Sequence, residues 1–532
     1  MLTLKIKTAL PVVCSCLLLL SCKKNLDLKP LNDVTSANVY ATPLGYKQVL
    51  AKIYGTMALT GNQGPTDQPD VFFQGADEGQ NADFFRTFWK AQELPTDEAI
   101  ITWGDPGVQD FHNMNWTPSN LFLTGCYYKC YYAITVANEY LSQAADAKLS
   151  SKGFSPGDIA AIQGYRNEAR FMRAFNYWVL LDLFGNVPFV DENSQIGGPP
   201  ATQIKRSDLF AYIESELKDI ETGLPAPRTN DYGRADRAAA WSLLARLYLN
   251  AEVYTGTAKY TDAITYSKRV IDAGYSLITD YRQLMLADNH RHVNEFIFTI
   301  NYDGLRTQGF GGTTFLTHAS IGGAMNAADY GVNSGWAGIR TTSAFVNKFP
   351  DNTGATDKRA QFYAAGQNLE VASPTTFTDG WAITKYRNVT SLGLPGSDLT
   401  FTDIDMPIFR LSEMYLIYAE AVRRGGTGGD ENTAIGYINT IRRRAFGNNS
   451  GDITNADFTT DFILDERARE LYWEGHRRTD LIRHNKFTEG TYLWPWKGGI
   501  SGGTAVRAFR KLYPIPALDI NVNQNLQQNP EY

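Results

Sequence analysis

Three aromatic residues stand near glycines in stretches that lack a helical pattern: Trp103, after LPTDEAIIT, Phe310, in QGFGGTTF, and Trp336, in NSGWAGI. Gly309, Gly311, Gly312 and Gly335 beside them would let a ring stand clear of the backbone. A flat exposed ring can stack on the weakly apolar C–H face of a sugar, while charged or amide groups at the rim bond its hydroxyls. The alternative for each ring is a place in the core, where aromatic side chains contribute most of their burial.

Other chemistry has weaker support. No P-loop and no H-E-x-x-H is present. A glycosidase needs two carboxyl groups about 5–9.5 Å apart, and order along the chain does not place such a pair among the 56 acids. His290 and His292 form an H-x-H without further ligands spaced to complete a zinc site, so exposed loop histidines are expected there. The fragment GGTGG, Gly425 to Gly429, reads as a turn between helices. Cys126 and Cys130, at i and i+4 on one helix, would hold their Cβ atoms about 5–6 Å apart, too far for a disulfide, and read as buried thiols.

The elements that must position the rings are mostly helical. Ser155 as N-cap, Pro156 at the first position and Asp158 in the first turn start a long helix that Gly185 and Val187-Pro188 end. Its Tyr177–Leu181 segment is apolar nearly all round, so neighbours must cover it on several sides. Arg166, Arg170 and Arg173 share a stripe on it and are expected to pair with Glu168, Asp182 or carboxylates of adjacent helices. Further helical patterns cover residues 43–57, 121–145, 207–222 with Ser207 as cap, one capped by Asp236, and 260–274; they resume over 410–424, 431–446 and 457–484. Consecutive helices too thin to bury their own faces imply a stack of about four tetratricopeptide-type pairs. Residues 60–117 and 276–406, rich in Gly, Thr, Asn and aromatics with short strand-like runs, read as a second subdomain laid over one face of that scaffold.

The N-terminus places the chain. Lys5 and Lys7 precede an apolar run from Ala9 to Leu20, and Leu19, Leu20, Ser21 and Cys22 match a lipobox. Residues 1–21 read as a signal peptide, with Cys22 acylated and 22–38 a tether. No later run of about 18 apolar residues suggests a transmembrane helix, and a net charge of −6 argues against a nucleic-acid surface.

Four stretches carry a resemblance: EARFMRAFNYWVLLDLFGNVPF from Glu168, FRLSEMYLIYAEA from Phe409, ERARELYWEGHRRTDLIR from Glu466 and YPIPALDINVNQNLQQNPEY from Tyr513. In this order they resemble the SusD/RagB family, outer-membrane glycan-binding lipoproteins of Bacteroidota. The resemblance implies a mostly α, SusD-like fold: an N-terminal helix and ligand-face segment to residue 117, a helical scaffold over 118–275, a glycan-binding insertion over 276–406, and a C-terminal helical pair and family segment over 407–532. FFRTFWKAQELPTDE, GFGGTTFL, GWAGI and YLWPWKGG are similar to the family's starch-binding members.

There the resemblance implies stacking on Trp103, Phe310 and Trp336 and a sugar hydrogen bond from Arg86. Phe310 stands where the family member has a tyrosine and lacks its hydroxyl. An asparagine is missing after Trp103, with Asp105 or Gln109 as the replacement. A calcium site is implied at Asp403 and Asp405, with His290 in the third ligand position and Asp288 as a substitute for that poor ligand. The implied role is non-catalytic capture of α-glucan, starch or maltooligosaccharide, at the cell surface, with no required cofactor and delivery to a TonB-dependent, SusC-like transporter. Another glycan (fructan or β-glucan), a surface glycosidase and a scaffold that binds only proteins are the alternatives.

Overall fold

The long helix forms where its caps place it. In a computed structural model describing residues 36–532 apart from 63, 66, 67, 78, 195 and 196, it runs Pro156–Leu183, and Ser155 Oγ accepts the Asp158 N–H at 3.2 Å. The signal peptide, Cys22 and the tether as far as residue 35 lie outside the described residues. Residues 36–38, read as tether, belong to a short helix, Ser36–Val39. Every residue from Phe171 to Leu183 is buried, as the all-round apolar segment requires.

In chain order the main helices are α1 (Pro43–Ala58), α2 (Phe84–Glu93), α3 (Leu121–Gln143), α4 (Pro156–Leu183), α5 (Arg206–Ile220) and α6 (Arg237–Leu249). They continue with α7 (Tyr260–Ile271), α8 (Gly312–Ala319), α9 (Leu411–Arg423), α10 (Glu431–Phe446), α11 (Thr460–Leu471) and α12 (Arg477–Arg483). Each scaffold helix packs on the next: α3 on α4, α4 on α5, α6 on α7, α7 on α9 and α9 on α10. The fold is mostly helical, with helices in successive pairs. Among the described residues, no helix is long and apolar enough to cross a membrane.

α7 and α9 pack directly although a long insertion separates them in sequence. The insertion is closed at its neck by two antiparallel strands, β1 (Phe296–Ile300) and β2 (Met406–Arg410). The other loop-rich stretch joins it through a short ladder, Ile100 opposite Arg340 and Ile101 opposite Ile339.

Several local expectations need correction. Ser207 does not cap α5, which starts one residue earlier behind Lys205. The arginine stripe pairs as expected with carboxylates of neighbouring elements, though not with Glu168 or Asp182: Arg166 with Asp146, Arg170 with Glu216 and Asp219, Arg173 with Glu192 and Glu216. The single helix expected over 457–484 is two, α11 and α12, because Trp473 and Gly475 take left-handed φ values of 62° and 82°. The loop-rich stretches contain α2 and α8, whose residues are all buried; α2 carries helical spacing, with Phe84, Phe85, Phe88 and Trp89 opposite Arg86, Lys90 and Glu93, that the loop-rich reading passed over, whereas α8 is short and rich in threonine, a weak helix former. Cys126 and Cys130 are buried free thiols, and GGTGG turns between α9 and α10 as expected.

The break between α11 and α12 is held by buried carboxylates. Glu93 Oε1 accepts the N–H groups of Gly475 and His476 at 2.7 and 3.0 Å, and Glu98 Oε2 accepts the Trp473 N–H at 3.1 Å. Burial, only partly offset by Glu98 and by those N–H groups, pushes Glu93 up to about 7, so its carboxyl holds a proton more tightly than an ordinary glutamate. The folded chain holds that proton more tightly than the unfolded chain. Its contribution is complete below the ordinary value of 4.5 and is lost as pH rises through about 7. Urea unfolding is expected to show stability falling by about 1–3 kcal/mol between about pH 5 and about pH 8 from this carboxyl. Glu93→Gln, which keeps an acceptor for the Gly475 and His476 N–H groups but cannot titrate, is expected to flatten that fall; an unchanged slope rules out a raised Glu93.

Candidate functional site

Trp103 leaves the Ile100–Ile101 ladder and Trp336 approaches its partner strand, so one ladder brings two of the three rings together. The join is reinforced by Thr102, whose N–H donates to Gly338 O at 2.8 Å and whose Oγ1 donates to Ala337 O at 2.5 Å. Trp103 Nε1 donates to Trp336 O at 3.1 Å. A Cβ on Gly338 would lie 2.4 Å from the Trp103 ring, so only glycine leaves the indole its seat.

The loop of Trp336 is fastened to the end of α8. The N–H groups of Trp336, Ala337 and Gly338 donate to the carbonyls of His318, Ile321 and Ala319, each at 2.8 Å. A helix C-terminus leaves carbonyls without intrahelical partners, and this loop supplies donors at that end. The start of α8 is tied down as well: Asp83, the N-cap of α2, accepts the N–H of Arg86 at 2.7 Å and that of Gly312 at 3.2 Å. A Cβ on Gly311 would fall within 1.9 Å of the Asp83 carboxyl carbon. The glycines beside Phe310 therefore serve close approach of backbone to side chain as well as ring exposure.

The three rings form a curved row. Trp103 and Trp336 have centroids 6.5 Å apart with planes 44° apart, and Trp336 and Phe310 are 6.3 Å apart at 54°. All three are half-buried. Phe401, buried, backs Phe310 at 5.4 Å, and Phe315, buried, lies 6.0 Å from Trp103.

Arg86 is buried behind the row. Its Nη1 donates to Phe310 O at 2.8 Å and also to Gly79 O, while its guanidinium lies 4.5 Å from the Phe315 ring and 5.5 Å from Trp103. Burial lowers its pKa to about 10, opposed by Asp83, Asp77 and Asp105. Arg86 thus clamps the two loop-rich stretches and supports Trp103 by a cation–π contact. Asp105 is half-buried on the loop after Trp103. The Gln109 amide donates inward to Trp103 O at 3.0 Å. His318, Phe315 and Phe401 were missed from the sequence; once α8 is known, Phe315 and His318 at i and i+3 share one face of it.

The residues implied for calcium do not fit that ion as arranged. Asp403 accepts from Gly304 N–H at 2.7 Å, Ser397 Oγ at 2.6 Å and Ser397 N–H at 2.5 Å. Asp405 accepts from Tyr302 N–H and the Tyr232 hydroxyl, each at 2.8 Å, and burial pushes it up to about 7. Asp288 bonds Ser391, and His290 is exposed. Among the described residues, no three His, Cys, Asp or Glu side chains converge on a metal position, whereas calcium takes 6–8 oxygen ligands. His292 Nε2 lies 3.0 Å from Gln283 O.

The scaffold and insertions define a class: a helix-pair scaffold carrying a curved aromatic row on two joined loop-rich stretches. The model for the SusD family matches residues 356–532, and a model described as starch-binding associating with outer membrane matches residues 26–249. The starch-binding protein SusD of Bacteroides thetaiotaomicron is 35% identical, covering 96% of each chain. The chain belongs to the SusD family. A SusD-like protein, P2, of Formosa agariphila is 26% identical over 81% of this chain and 85% of its own.

Among solved structures, a SusD homolog from Bacteroides thetaiotaomicron superposes with a TM-score of 0.73 at 20% identity, covering 94% of this chain and 99% of its own. Surface glycan-binding protein A from Bacteroides thetaiotaomicron, in complex with laminarihexaose, gives 0.67 at 20%, covering 91% and 98%. At that identity both show the shared fold.

A calcium ion present at 100 times its Kd would add about 2.7 kcal/mol to stability. Excess EDTA is therefore expected to leave the melting temperature unchanged; a fall of several degrees, reversed by calcium, would show that Asp403 and Asp405 rearrange around the ion.

Proposed function

We propose that this chain is a non-catalytic cell-surface lipoprotein that captures α-glucan, starch or maltooligosaccharide, and delivers it to a TonB-dependent, SusC-like transporter. The observation that carries the ligand class is the curved row of Trp103, Trp336 and Phe310, whose planes turn by 44° and then 54°. Successive sugars of a coiled α-glucan also change orientation from one to the next, so each could lay its C–H face on a different ring. The starch-binding relative at 35% identity supports this ligand, and the family description supports association with the outer membrane. Cys22 would carry the lipid.

The surroundings of the row favour binding over hydrolysis. Asp105 lies near it; Asp83 is buried and occupied by two backbone N–H groups, and half-buried Asp77, on the Phe310 side, accepts the Gly79 N–H at 2.9 Å, so neither is free to pair with Asp105 as the acid–base pair of a glycosidase. Incubation with maltoheptaose is expected to leave its length unchanged.

Calorimetric titration tests the ligand. Maltoheptaose and α-cyclodextrin are expected to bind, the preformed ring at least as tightly as the open chain, and laminarihexaose more weakly; the reverse order would assign the site to β-glucan. Trp336→Ala is expected to weaken α-glucan binding by at least about 1 kcal/mol. Gly338→Ala, which leaves every ring in the sequence but displaces Trp103, is expected to weaken it by a similar amount.

A further inference from the structure

His318, on the last turn of α8, touches both the loop of Trp336, the middle ring, and the loop behind Phe310. Its imidazole lies 4.6 Å from the Trp336 ring at 19°, a near-parallel stack, and its carbonyl accepts the Trp336 N–H at 2.8 Å. Nδ1 lies 2.7 Å from Ser334 O, on the loop that carries Trp336. Nε2 lies 2.8 Å from Thr400 O, beside the Phe401 that backs Phe310. One side chain therefore sets the tilt of Trp336 and bridges the loop behind Phe310.

The bridge is complete in one protonation state. A neutral imidazole has one N–H, so with a carbonyl at each nitrogen one oxygen faces a lone pair; the imidazolium donates to both. No other charged group is supplied by α8 or by residues 333–338, while α2, packed on α8, places Arg86 and Lys90 over the Phe315 ring, 4.5 and 5.6 Å from it. On the Thr400 loop, Asp398 Oδ1 accepts the N–H groups of Thr400 and Phe401 at 2.7 and 2.9 Å, and Asp403 accepts from Ser397 and Gly304. Burial, opposed by the two carbonyls, holds His318 below the ordinary histidine value, so at neutral pH the ring is mainly neutral and the bridge half made.

We propose that His318 is a positioning residue for ligand binding: it fixes Trp336 against the Phe310 side of the row, and the row binds its ligand best when both ring nitrogens donate. This rests on the glycan reading above. The wild-type protein, His318→Phe, which keeps a stacking ring without either donor, and His318→Gln, which keeps a donor without the ring, are titrated with maltoheptaose in steps from about pH 7.5, above the ordinary histidine value, down to about pH 4.5, well below it.

Wild-type affinity is expected to rise at least threefold on acidification. His318→Phe is expected to bind at least tenfold more weakly at the lowest pH and to show no pH response, with His318→Gln between the two. A flat wild-type profile, or a His318→Phe protein that binds like wild type, overturns the proposal; the wild-type profile decides if a variant does not fold. If wild type binds no glycan at all, the glycan reading fails, and the contact is read from indole fluorescence instead. An imidazolium stacked on Trp336 quenches it, so wild-type emission should fall on acidification in a way that Trp336→Phe and His318→Phe abolish. Identical titrations in the three proteins overturn the proposal in that case.

Discussion

The architecture depends on one buried guanidinium. Arg410, at the end of β2 and the start of α9, donates to Glu474 at 2.7 and 2.8 Å, to Glu470 at 2.6 Å and to Glu295 at 3.1 Å. Glu295 stands at the neck of the long insertion, Glu470 on α11, and Glu474 in the break before α12. Arg444 of α10 reaches Glu295 and Glu470, and Lys385 of the insertion reaches Glu474 at 2.6 Å. Burial alone would raise Glu470, but Arg444, Arg410 and Arg359 hold it at about 2. Removing one partner from such a cluster strands a buried charge, at about 3–5 kcal/mol. The cluster therefore fixes how the insertion meets the scaffold.

From that fixed neck the aromatic row is positioned mainly by backbone. The Ile100–Ile101 ladder joins the two loop-rich stretches, the free carbonyls at the end of α8 hold the loop of Trp336, and Asp83 holds its start. Arg86 then ties Gly79 to Phe310 from behind. Buried hydrogen bonds of this kind resist distortion because every broken one leaves a buried polar group without a partner. The result suits binding: rings held at fixed angles select ligand shape without closing around it, which agrees with the proposed capture and release of a glycan.

Histidine 318 shows how a row of apolar rings can acquire a polar control. Its nitrogens face carbonyls from two loops while its ring stacks on Trp336. The H-x-H at 290 and 292 drew attention in the sequence because spacing is visible there. The consequential histidine was a single residue in a helix with weak formers, GTTFLTHA.

The sequence by itself determined the scaffold and the family. Ser155, Pro156 and Gly185 bound the long helix, Asp236 capped α6, and helical spacing gave α3, α7, α9 and α10, because caps and periodicity are local properties that survive without tertiary contacts. It also named Trp103, Phe310 and Trp336, through glycines and resemblance. Tertiary structure decided the rest. α8 is short and built of weak helix formers, so its helicity comes from burial among neighbours; α2 shows amphipathic spacing in the sequence, but only the fold buries its polar side as well. The split at Trp473 and Gly475 depends on carboxylates some 380 residues away in sequence. Arg86 became a clamp and Gly338 a seat only once two stretches far apart in the chain met across a ladder of two residues each, a pairing that no local signal encodes.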